Sequence, residues 1–143
     1  VVASVDEAEL AILRLNTPYQ QREGNFLERM FHAGDLDFKE PEKTRILNIL
    51  AKIPTVVAIH LDRPAVIPEI ADQSAALLGE FGASDDAVLD VIFGRFAPSG
   101  KLPFELPASM AAVLQQKSDM PYDSAHPVFP FGHGLSYLKT APA

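Results

Sequence analysis

Four histidines, nineteen acidic residues and no cysteine bound the chemistry open to this chain. Thiolate catalysis and disulfides are excluded, while the compartment stays open, because many secreted bacterial domains also lack cysteine. His32, Asp35 and Asp37 fall together in "HAGDLDF" and could converge on a cation. No further ligand ladder follows them, so a solvated turn is the simpler reading and no metal is expected. His60 closes the apolar run "TVVAIH", near the strand end where parallel sheets present ligands. A histidine hydrogen-bonded within or beside the core is the simpler account of it. Glu23 in "QQREGN", beside Arg22 and before Gly24, is the most interesting carboxylate for acid–base work. Its partner would come from another loop, which spacing does not reveal, and a plain surface charge is the simpler reading.

Several other chemistries lack their motif. A serine nucleophile on an α/β scaffold wants a G-x-S-x-G elbow, and the chain has none. Neither G-x-G-x-x-G nor G-x-x-x-x-G-K-[ST] occurs, so both nucleotide fingerprints are missing and no cofactor is expected. A flavodoxin-like cofactor binder is disfavoured on the same ground. "FGASDD" sets a glycine before a helix start, a place that can hold an anion. Asp85 and Asp86 would repel a phosphate there, and helix capping is the better account. "FPFGHGLSY" brackets His133 between Gly132 and Gly134, which reads as a ligand loop, a metal site or a kink.

The elements that must position these residues alternate in type. Four β-like runs are expected: "ELAILRL" (9–15), "TVVAIHL" (55–61), "AALLGEF" (75–81) and "GKLPFEL" (100–106). The first follows Ser4 and Glu7, spaced as a capping box. Pro103 marks the last as an edge or irregular strand. Helices are expected in "FLERMFH", in "PEKTRILNILAK" with Pro41 at its first position, and in "RPAVIPEIADQ" from near Pro64. Ile46, Leu47, Ile49 and Leu50 should face inward. "SDDAVLDVIFG" is the clearest helix, capped by Ser84, ended by Gly94, with Ala87, Val88, Val91 and Ile92 facing the core. "PASMAAVLQQK" is a last helix with Pro107 near its start. Such alternation implies an α/β fold: doubly wound, with a largely parallel sheet and helices on both faces.

At 143 residues, 48% hydrophobic and 22% charged, the chain suits one domain with a real core. A formal net charge of −7 argues against nucleic acid and an anionic membrane surface, and is compatible with a neutral ligand such as a sugar. No apolar run approaches the roughly 20 residues that cross a bilayer. Only the tail "KTAPA" reads as disordered, and a start on Val1 with no signal pattern predicts a processed or excised chain.

A glycine-terminated helix, the P-S-G-K-L-P turn in "VLDVIFGRFAPSGKLPFELP" and then F-x-F-G-x-G-L-S-Y resemble the C-terminal α/β sandwich domain of glycoside hydrolase family 3. "PTVVAIHLDRPAVI" is similar to that family's apolar strand ending in an R-P turn, here Arg63-Pro64, and "AALLGEFGASDDAVLDVIFG" to the strand, turn and helix that follow. The likeness runs in order from about Glu9 to Tyr137.

The resemblance implies β-glucosidase or β-xylosidase chemistry: hydrolysis of terminal β-linked sugars with retention, by a carboxylate nucleophile and a second carboxyl group. It also implies that the nucleophile sits on an N-terminal (β/α)8 barrel, which needs about 250 residues and is absent here. The acid/base is expected upstream of "ELAILRL", so no catalytic residue is assigned to this chain. Residues 1–143 are thus expected to be the latter part of the sandwich domain, incomplete at its N-terminal side and inactive alone. The implied partners are the barrel and a β-linked glycoside or oligosaccharide in a shared cleft. The loop "NTPYQQREGN" would border that cleft, making Tyr19, Arg22 and Glu23 candidate subsite or interface residues. An open apolar sheet edge would invite a second copy of the chain. The competing reading is a free-standing, non-catalytic binding or scaffold module. By the same resemblance, Gly132 and Gly134 serve close backbone packing or a bulge, and His133 carries no chemistry.

Overall fold

The computed structural model describes Val2 and residues 4–137; the tail "KTAPA" lies outside the described residues. Three parallel strands form the main sheet in the order β1 (Ala11–Asn16), β4 (Thr55–His60), β5 (Ala76–Glu80). Leu13 pairs with Val57 and Leu15 with Ile59, and Val57 pairs in turn with Leu77. β4 is central and reads as an unbroken apolar run because both its faces are covered. β1 alternates instead: Leu15 is buried while Ile12, Arg14 and Asn16 are exposed.

α2 (Glu42–Lys52) makes the crossover between β1 and β4, and α3 (Pro68–Gln73) the crossover between β4 and β5. The two helices pack on one another and are tied by Lys43 to Glu69 at 2.5 Å. Ile46 and Leu50 of α2 and Ile70 of α3 meet Val57, Ile59 and Leu61 in the principal core. Leu106 from the C-terminal part joins the same core. α4 (Asp85–Ile92) reaches the opposite face, where Asp85 pairs with Arg14 of β1. The architecture is the expected α/β one, a parallel sheet with helices.

Several elements depart from the sequence reading. "NTPYQQREGN" is not wholly loop: β2 (Gln20–Gln21) pairs antiparallel with β3 (His32–Ala33) around α1 (Phe26–Arg29). Two-residue strands leave too little alternation to be seen in sequence. Ser4 caps only a short 3-10 turn over Val5–Glu7, while a complete capping box joins Asn25 and Glu28 at α1. α2 starts one residue late, with Pro41 outside it. α3 begins at Pro68, not near Pro64, so Pro68 occupies the first turn that suits its missing N–H. α5 (Met110–Gln115) starts after Ser109, beyond Pro107.

"GKLPFEL" does not form a strand. Its backbone pairs with the "FPFGHG" segment only at intervals: the Leu102 N–H donates to the His133 carbonyl at 2.8 Å, and the Leu106 N–H to Phe129 at 2.9 Å. Pro103 between them has no N–H to continue a ladder. Gly94 ends α4 with φ +72 and Ser84 caps it, as expected, but Ala87 is exposed and Val88 alone in the helix is buried. Val88 is therefore the one fully buried position on the apolar face of α4.

Candidate functional site at the strand ends

The C-terminal ends of β1 and β4 carry a connected group of polar side chains. Thr17 follows β1 and is buried; its N–H and its hydroxyl both lie 3.1 Å from the His60 carbonyl, and the hydroxyl also reaches Asp62. Asp62 lies just beyond β4 and takes a second hydrogen bond from Nδ1 of His32, which β3 brings across from the hairpin. The His32 ring stacks on Tyr19 with centroids 3.7 Å apart and planes 9° from parallel. Arg63, next in the chain, donates to the Ala33 carbonyl at 2.7 Å and to the Gly34 carbonyl at 2.6 Å. Gly34 turns the chain out of β3 with φ +79, a conformation that favours glycine.

Desolvation works against the Asp62 charge, but hydrogen bonds from Thr17 and His32 outweigh it and hold the carboxyl below its ordinary value. Met30, Phe31, His32, Asp62 and Arg63 line an open cleft of about 280 Å³. A second cleft of about 360 Å³ is lined by Tyr19 together with Gln20, Asp35, Asp37 and Lys39. Lys39 bridges Asp37 at 2.7 Å and Asp35 at 2.8 Å, so the two carboxylates share one cation of the chain itself.

A further polar group lies beside His60. Glu80, 8% exposed, accepts from the N–H groups of Gly82 at 2.6 Å and Ala83 at 2.8 Å and from Arg14 at 2.9 Å, with His60 Nδ1 at 3.4 Å. Burial opposes its charge, and these donors outweigh burial, leaving the carboxyl below its ordinary value. The "FGASDD" turn is thus a small nest of N–H groups already filled by an anion of the same chain. His60 serves both groups, through its carbonyl to Thr17 and its ring to Glu80.

Of the three residues singled out in sequence, Tyr19 joins the group through its stack on His32. Arg22 and Glu23 stand exposed in the turn between β2 and α1 and line neither cleft. Asp62 and Glu80 were not legible as site residues, because each acts on partners distant in sequence. The one local signal was an ionisable pair, Asp62-Arg63, soon after a nearly all-apolar strand. In "FPFGHGLSY", Gly132 takes φ +78, Gly134 lies against the Gly100 carbonyl, and the His133 ring leans on Phe129 at 4.8 Å.

The parallel sheet, its crossovers and a loop built over the strand ends define an α/β domain of the kind that presents polar groups beyond its sheet. Residues 1–137 match the glycosyl hydrolase family 3 C-terminal domain, and the chain belongs to that family. It is 54% identical over 139 residues to a probable beta-glucosidase C of Aspergillus oryzae, covering 97% of this chain and 22% of that protein. It is 41% identical over 140 residues to a periplasmic beta-glucosidase/beta-xylosidase of Dickeya chrysanthemi, covering 96% and 21%. A beta-glucosidase from Listeria innocua, solved in complex with glucose, superposes with a TM-score of 0.68 at 21% identity, over 93% of this chain and 21% of that one. That likeness speaks to fold. The chain spans about a fifth of the length of the curated relatives it matches.

Proposed function

We propose that this chain is the C-terminal domain of a β-glycosidase that removes terminal β-linked sugars with retention. A preceding (β/α)8 barrel supplies the nucleophile, and the loop over residues 17–34 borders the cleft the two domains share. Tyr19, Arg22 and Glu23 are its candidate subsite or interface residues. One observation carries the reading. α1 and its flank present Phe26, Leu27, Met30 and Phe31 at 78, 65, 64 and 66% exposure, within six residues of chain. A patch of that kind marks an interaction surface, because leaving it in water forgoes about 1.5–3 kcal/mol per large side chain. The relatives supply the chemistry of the reading, since proteins that this chain resembles are named for β-glucosidase and β-xylosidase activity.

The test is hydrolysis of chromogenic β-glucoside and β-xyloside, with this chain and with the full-length protein side by side. The folded chain is expected to show no turnover and the full-length protein to hydrolyse one or both. Turnover by the chain alone, abolished by Glu23→Gln, would place the acid/base in this loop and overturn the division of labour.

A further inference from the structure

We propose that Asp62 and Arg63 are positioning residues that latch the β2–α1–β3 loop onto the ends of β1 and β4. Their hydrogen bonds fix the orientation of Tyr19 and of the exposed α1 side chains. The loop has little else to hold it. β2 and β3 contribute two residues each, α1 is four residues long, and none of these elements contains a buried side chain. A two-stranded hairpin of this size is not stable in water without outside support. The support comes from Asp62 and Arg63, the second and third residues after β4. Arg63 spans the Ala33 and Gly34 carbonyls with its two terminal nitrogens, a fork that one Lys ammonium cannot reproduce. Asp62 joins Thr17, rooted at the end of β1, to His32 on the hairpin, so β1 and β4 hold the loop through one carboxylate. His32 passes the constraint to Tyr19 by stacking.

The functional meaning of the latch rests on the loop bordering a cleft, but the latch itself is measurable on this chain without any substrate. The experiment is residue-resolved amide hydrogen exchange, with NMR of the His32 ring, on the chain and its Asp62→Asn, Asp62→Ala and Arg63→Lys variants. Exchange at residues 20–34 should rise roughly tenfold or more in each variant, with β4 and β5 amides unchanged. The His32 Nδ1–H resonance, protected in the parent chain by its carboxylate acceptor, should vanish in Asp62→Ala and persist in Arg63→Lys. Loop amides already exchanging at unfolded-chain rates in the parent would overturn the proposal. So would variants that speed β4 and β5 as much as the loop, since the pair would then be only a general stabiliser. Neither result depends on whether the full-length protein hydrolyses glycosides.

Discussion

Glu80 shows how much a single buried carboxylate can hold. It accepts from the Gly82 and Ala83 N–H groups in the turn before α4, meets Arg14 from β1 and touches His60 from β4, so three separate stretches converge on one side chain. Its folded proton affinity lies below the ordinary one, for which the reference value is 4.5. The unfolded chain therefore binds a proton at higher pH than the folded chain does. The stability this linkage contributes is fully present above that reference value and is lost as pH falls through the lower folded value. Glu80→Gln should flatten the acid side of the unfolding free-energy profile, measured by denaturant titration from pH 6 to pH 3. Glu80→Ala, which strands the Gly82 and Ala83 N–H groups, should cost about 1–3 kcal/mol at neutral pH.

Among the elements, the pairing of residues 100–106 with 128–134 is the most exacting. It has no continuous ladder to absorb a distortion, because Pro103 interrupts it. At Gly134 an added Cβ would stand 2.3 Å from the Gly100 carbonyl oxygen and 2.9 Å from a Lys101 side-chain carbon. The first neighbour is backbone and cannot swing aside. Gly134→Ala should therefore separate the two segments and destabilise the chain by about 1–3 kcal/mol, as overpacking does. Its marker is faster exchange of the Leu102 and Leu106 amides, which donate across this pairing. Unchanged exchange at both would show that the segments accommodate a methyl group.

At the scale of the whole molecule, the exposed apolar side chains of α1 predict two behaviours. Phe26→Ser with Phe31→Ser should leave the thermal stability of this chain nearly unchanged, because neither ring is buried in it. The same pair in the full-length protein should lower its melting temperature, measured by calorimetry, if a preceding domain covers the patch. The isolated chain, which also exposes Ile12 on β1, should self-associate at high concentration. Sedimentation equilibrium of the parent chain and the double variant measures this, and a strict monomer throughout would remove both the patch and the sheet edge as association surfaces.

The sequence by itself determined the class of fold. A buried central strand must be apolar on both faces, and an amphipathic helix must repeat its apolar residues every three or four positions. "TVVAIH" and "PEKTRILNILAK" therefore declared β4 and α2 without any knowledge of their partners. Ser84 and Gly94 bounded α4 for a similar reason, since caps are local chemistry. Ordered motifs from Arg63-Pro64 to the final F-x-F-G-x-G-L-S-Y pointed to the family. Only the tertiary structure decided the site. Asp62 meets His32 thirty residues away, and Glu80 meets Arg14 sixty-six residues away. No periodicity records such pairs, because a hydrogen bond between loops leaves no mark on the pattern of either one. The β2–β3 hairpin and the broken pairing at Pro103 were decided there too, since short ladders depend on what holds their ends.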